Sequence, residues 1–272
     1  MFTSININSN IYIKIKAAIF ETAQIVQDFR SQVLGGLVSA FTIWEVAISQ
    51  SLINNSEMWV EMNNEAIKSL DGLQKLFCQS TLQVPSTPSP SFSWETGLLE
   101  LQFQVMKRKL NFMNSLKRLD EKSLARKILD EQQKNGWPGL AKECDKICDL
   151  INIPHISTNC VAKSKFDMAV REANKRKLIK EMQNYTKLKD SDTSCDFERK
   201  DYFKNKRIEE ARTMFRINSG MFPCKMNMMS DTDYSKKLWF CDECESQIDS
   251  LSHIGIPNMY YRFCNEFFSF YA

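Results

Sequence analysis

The sequence predicts a mostly α protein, in which helical segments are followed by an irregular, Cys-containing C-terminal tail. Three observations carry this. The 272 residues include only 8 Gly and 7 Pro, too few breakers for a turn-rich β fold of that length. Apolar residues make up 43% and charged residues 25%, a globular rather than a disordered mixture. Several stretches repeat apolar residues at spacings of three and four, which puts them on one helical face.

Residues 1–10, rich in Asn, Ser and Ile, fit no element. Residues 11–28 read as a helix with Ile15, Ala18, Ile19, Thr22 and Ile25 on one side. Residues 30–52 read as a second helix, apolar almost all round and therefore buried; its Gly35-Gly36 pair would allow a kink or a close crossing. The apolar run at 33–48 is roughly 16 residues long and includes Glu45. A spanning helix needs about 20 residues without a charge, so no membrane partner is expected. A third helix is expected over 61–80, with Ala66, Leu70, Leu73, Leu76 and Phe77 as its stripe.

The segment VPSTPSPS brings Pro85, Pro88 and Pro90 close together. Such a run cannot continue a helix, and residues 84–93 read as a linker. It would separate a helical segment at 1–83 from a basic helical segment at 94–220, with the tail at 221–272. Helical pattern resumes from Trp94 to Gln133 through Leu98, Leu101, Val105, Leu110, Met113, Leu116 and Leu124. The NGWPG stretch at 135–139 is a turn. A short helix follows at 140–151 and stops before Pro154. Residues 160–188 form a charged helix with a thin stripe of Phe166, Ala169, Val170, Ala173, Leu178 and Met182. After a polar loop at 190–196, residues 197–216 turn Tyr202, Phe203, Ile208, Ala211 and Phe215 inward. Beyond Gly220 the chain is rich in Cys, Met and aromatics and has no clear period. No internal repeat is evident.

The net charge of +3 is unevenly spread. Residues 1–100 hold 5 Lys and Arg against 9 Asp and Glu, residues 101–220 hold 27 against 17, and residues 221–272 hold 4 against 7. A basic middle between acidic ends points to a polyanion, RNA or DNA, as partner; the alternative is a solvated helical surface. The candidate phosphate contacts are Lys107, Arg108 and Lys109 on one helix, and Arg171, Lys175, Arg176, Lys177 and Lys180 on another. Cations one turn apart share a face and bind phosphate with little sequence preference. Tyr185 could stack on a base or simply pack.

Nine Cys without a secretory leader in the first 20 residues suggest a reducing, intracellular setting, cytoplasmic or nuclear. The sharpest local motif is Cys241-Asp-Glu-Cys244 followed by His253. Two thiolates on a tight turn grip one face of a Zn²⁺ tetrahedron and an imidazole adds a third ligand. Cys224 and Cys264 are candidates for the fourth; the alternative is a pair of free thiols near a surface His. Cys144, Cys148 and His155 form a second possible trio, against two buried thiols acting as small apolar groups. No phosphate-binding glycine loop, nucleophile elbow or HExxH motif occurs.

Four stretches in order, at 25–62, 68–101, 104–154 and 209–254, resemble the region C-terminal to the polymerase core of non-LTR (LINE-like) retrotransposon endonuclease–reverse transcriptase polyproteins. The resemblance rests on the helix pair within IVQDFRSQVLGGLVSAFTIWEVAISQSLINNSEMWVEM and on the Pro step and Glu-x-Gly-Leu-Leu of PSTPSPSFSWETGLLEL. It rests also on the basic helix QVMKRKLNFMNSLKRL with its following Trp turn, and on ARTMFRINSG before the Cys cluster. It implies a thumb-like first segment, later segments that hold RNA or target DNA, and a Cys-x-x-Cys…His-x-x-x-Cys knuckle. Cys241, Cys244 and His253 match three of its ligands. The fourth position falls on Pro257, so zinc would need Cys264 instead and the knuckle is degenerate.

The family's aromatic-x-Asp-Asp motif is missing, and the chain has no Asp-Asp pair at all. Two-metal polymerisation needs such carboxylates. The chain is therefore expected to be no enzyme by itself and to hold no catalytic metal: a truncated reverse-transcriptase-derived protein that binds nucleic acid nonspecifically. The alternatives are a helical scaffold, or an accessory part of an RNA-directed DNA polymerase completed by another chain. The first residues and the ending YRFCNEFFSFYA depart from the family pattern, as a truncated element copy would.

Overall fold

The computed structural model describes residues 36–59, 64–84, 87–156, 162–185, 188, 197–205 and 207–221. The fold is mostly α, and no strand occurs among the described residues. None of its described helices is long and apolar enough to cross a membrane. The helix expected at 11–28, the loop at 190–196 and nearly all of the tail lie outside the described residues.

Helix α1 (Gly36–Ile43) passes through a π-helical turn, Trp44–Ile48, into α2 (Ser49–Leu52). Leu37, Ala40, Phe41, Trp44, Ile48 and Leu52 are buried, but Val46 is 69% exposed, so the helix buries one face rather than its whole circumference. Gly36 starts it with a φ of 91°. A Cβ there would meet nothing within 4 Å, so this glycine marks a helix start rather than a close crossing.

After a 3-10 turn at Ser56–Met58 comes α3 (Asn64–Leu82). It buries Ala66, Leu70, Leu73 and Phe77 as expected, whereas Leu76 is exposed. At about 100° per residue, Leu76 falls roughly a quarter turn off the stripe.

The expected linker at 84–93 is corrected by α4 (Ser89–Thr96), whose residues from Pro90 onward are buried. Pro88 is its N-cap and Pro90 lies in its first turn. First-turn N–H groups have no intrahelical acceptor, so proline there breaks no bond. Phe92 packs in one core with Phe41, Trp44 and Phe77 from before the proline run, and with Leu101, Val105, Phe203 and Phe215 from after it. The proline run therefore opens a core helix, and residues on both of its sides share that core.

The single pattern expected from 94 to 133 is three helices. Gly97, with a φ of 66°, ends α4, and α5 (Leu101–Lys117) follows. A turn at 118–123, in which Lys122 N donates to Asp120 Oδ1 at 2.7 Å, separates α5 from α6 (Leu124–Lys134). Ser123 caps α6 by accepting from Arg126 N at 3.3 Å. The NGWPG turn is present, and α7 (Leu140–Ile151) follows it. The charged helix is α8 (Lys163–Met182), shorter at its C-terminal end than expected. The last expected helix is split into α9 (Tyr202–Asn205) and α10 (Ile208–Asn218).

Helix α5 is central and packs against α3, α6, α7, α8 and the 3-10 turn. One of its faces joins the first core, where Trp44 stacks on Phe77 at 4.5 Å and Phe92 on Phe215 at 5.4 Å. The opposite face contributes Leu110 and Met113 to a second core with Leu129, Cys144, Cys148, Phe166 and Val170. A small third cluster gathers Trp94, Leu178, Met182, Leu188 and Phe197.

Candidate functional site

Much of the basic excess is spent inside the molecule. Lys107 pairs with Asp167 of α8 at 3.0 Å. Arg108 donates to the Ile53 carbonyl at 3.0 Å and lies 3.7 Å from Glu57. Lys109 is only 2% exposed and donates to the Trp59 carbonyl and to Glu143 of α7. Three consecutive helical residues fan over about 200°, and α5 has neighbours on several sides, so the trio cannot face solvent together. Burial removes Lys109 from the expected phosphate contacts. Lys177 is likewise engaged, at 2.8 Å from Glu100 and 3.3 Å from Glu181. Further along, Arg199 pairs with Glu45 at 2.8 Å, and Arg212 and Arg216 donate to the Thr81 and Gln83 carbonyls.

Four of the expected contacts remain outward. Arg171, Arg176 and Lys180 are exposed and Lys175 is half-buried. None of the four has an ion pair among the described residues. The spacing places Arg171 and Lys175 on one ridge of α8 and Arg176 and Lys180 on the next, with exposed Glu172 between them. Lys163 and Lys165, also exposed, extend the basic surface to the start of the helix, where the helix dipole disfavours cations.

Beside this helix lies a cleft of about 660 Å³ between α3, the starts of α4 and α5, and the end of α8. Its floor is acidic. Gln102 donates its amide to Asp71 Oδ2 at 3.2 Å and to Glu100 Oε2 at 3.3 Å. The other Asp71 oxygen is buried without a partner among the described residues. Burial pushes the Asp71 carboxyl up to about 7, the Glu100 charge adding to the rise and Lys177 opposing it. Burial also raises Glu100, against the pull of Lys177. For Lys177 burial favours the neutral amine, but Glu100, Asp71 and Glu181 outweigh it and raise its pKa. Tyr185, 42% exposed, lines the same cleft. Sequence reading did not find this floor, because Asp71, Glu100 and Lys177 are distant in the chain; the only local hint was Asp71 interrupting an apolar pattern.

Cys144 and Cys148 are buried in the second core, and burial raises both thiols, which disfavours thiolate. His155 turns instead to Asp149, at 2.8 Å, and Asp145, at 3.7 Å. The hydrogen bond to Asp149 raises its pKa. These three side chains act as two packed thiols and a clamped surface imidazole, not as a ligand trio. Among the described residues no group of His, Cys, Asp and Glu is placed to hold a metal. The expected zinc ligands Cys241, Cys244, His253 and Cys264 lie outside the described residues. No protein-family model matches the chain, and neither a curated protein nor a solved structure matches it.

Proposed function

We propose that the chain is a helical protein that binds RNA or DNA with little sequence preference, derived from a retrotransposon reverse transcriptase and without a polymerase centre of its own. The observation that carries the reading is the contrast among its cations. Those of α5, and Lys177, are matched by carboxylates or carbonyls, whereas Arg171, Lys175, Arg176 and Lys180 stand outward on α8 without an ion pair among the described residues. Unmatched cations at helical spacing suit the repeating charge of a phosphate backbone.

The test is a salt series. If these four cations meet phosphates of a duplex, the log–log slope of affinity against salt should be about −3 to −4. Replacing all four with Ala should weaken binding evenly across sequences and bring the slope towards zero. Lys107→Ala should change the slope by less than one such contact. A gel shift showing no complex at micromolar protein near about 0.15 M salt would decide against the reading.

A scaffold role is the second reading. Leu124 is 73% exposed and Ile128 51%, one turn apart on α6, with Trp137 56% exposed beyond. Such apolar exposure suits a protein partner, and that role would survive loss of nucleic-acid binding.

A further inference from the structure

Helix α8 (Lys163–Met182) is packed on one side and open on the other. Phe166, Val170, Ala173, Leu178 and Met182 are buried, and the helix packs on α4, α5 and α7. The open side carries two rows of cations, Arg171 with Lys175 and Arg176 with Lys180. Corresponding members of the rows are five residues apart. At roughly 100° per residue this sets the rows about 140° apart around the helix axis. They are the two flanks of the exposed face, not a single stripe along it.

The acids of the helix are sorted around the same axis. Asp167 is matched by Lys107 at 3.0 Å and Glu181 by Lys177 at 3.3 Å. Glu172 is exposed and projects between the two rows of cations, as does Met168, which is 72% exposed. A strand lying across this face would press its phosphates onto a carboxylate and an apolar tip. A duplex groove would not. Its phosphates line two walls, where the flanking rows meet them, and its floor presents base edges. Among these are the cytosine amine, which a carboxylate accepts from, and the thymine methyl, on which an apolar side chain packs.

We propose that α8 lies in the major groove of B-form DNA, an inference that rests on the nucleic-acid reading above. Arg171 and Lys175 meet the phosphates of one wall, Arg176 and Lys180 those of the other, and Met168 and Glu172 face the base edges. The B-form major groove is about 12 Å wide, and an α-helix with its side chains is about 10–12 Å across. Duplex RNA closes this groove to a helix, because the A form makes it deep and narrow. A single strand offers one line of phosphates and engages one row. Phosphate contacts outnumber base contacts, which keeps sequence preference small.

The test titrates the full chain, by fluorescence anisotropy, into a DNA duplex, an RNA duplex and a DNA single strand of one sequence. A fourth probe is the same DNA duplex with glucosylated hydroxymethylcytosine, whose sugars fill the major groove and leave the phosphates in place. The plain DNA duplex should bind about tenfold or more tighter than the other three, with a log–log salt slope of about −3 to −4. Arg171→Ala with Lys175→Ala, and Arg176→Ala with Lys180→Ala, should each flatten that slope by about 2. If no probe binds, the nucleic-acid reading falls and this proposal with it. If any of the other three binds as tightly as the plain DNA duplex, nucleic-acid binding stands and groove binding is overturned. It is likewise overturned if only one of the paired replacements flattens the slope, since the cations then meet a single line of phosphates.

Discussion

Truncating Lys109 separates a buried structural cation from a phosphate contact. The ammonium joins the exit of the 3-10 turn to α7, through the Trp59 carbonyl and Glu143. Lys109 is 2% exposed and the Glu143 side chain 20%. Removing one partner of a buried pair costs about 3–5 kcal/mol, because the other charge stays buried. Water reaching Glu143 recovers part of this, so Lys109→Met, which keeps the stem and removes the charge, should cost about 2–3 kcal/mol. Lys109→Ala should cost more, since each buried methylene lost adds about 0.8 kcal/mol. Glu143→Gln leaves the more deeply buried ammonium with neutral acceptors only and should cost about 3 kcal/mol. Urea unfolding measures all three, as a lowered midpoint with unchanged m-value. The folded variants should bind nucleic acid as the wild type does. If Lys109→Met were neutral in stability yet weakened binding, the ammonium would be reaching phosphate and the burial argument would fail.

Three further outcomes are expected. Asp71 is raised from 3.8 to about 7 in the fold, so the folded chain keeps a proton that the unfolded chain releases. Its contribution is therefore fully present below about pH 4 and is lost as pH rises towards 7. Asp71→Asn should flatten part of that fall and gain on the order of 2 kcal/mol over wild type at pH 8; a wild-type stability that rises between pH 5 and 7 relative to the variant would refute this. Gly97→Ala should cost at least about 2 kcal/mol, because its φ is 66° and a Cβ would come within 2.7 Å of the Glu198 carbonyl carbon; an unchanged Tm would contradict the close approach. Should the purified protein retain one zinc ion, Cys264→Ser should release it, since Pro257 cannot supply the fourth ligand. Metal content unaltered by that change would mean another residue completes the site.

The sequence by itself determined the helical class and much of its punctuation. Breaker content and the spacing of Leu70, Leu73 and Phe77 or of Phe166, Val170 and Ala173 are local properties, and local backbone preference obeys them. The NGWPG turn followed from Pro and Gly chemistry in the same way. The proline run is ambiguous in the sequence because a proline has opposite consequences in a helix's first turn and in its interior. Only the buried partners of Phe92 decided which applied.

Tertiary structure also decided which cations are free. Lys109 and Arg171 look alike in the sequence, since periodicity shows which residues share a face but not whether another element covers it. The pairing of Lys109 with Glu143 spans 34 positions and that of Lys177 with Glu100 spans 77. Asp71 joins Lys177 and Glu100 from a third helix. Burial, and with it charge state and hydrogen-bond shortage, arises from such distant neighbours. The cleft therefore exists only once α3, α5 and α8 have packed together.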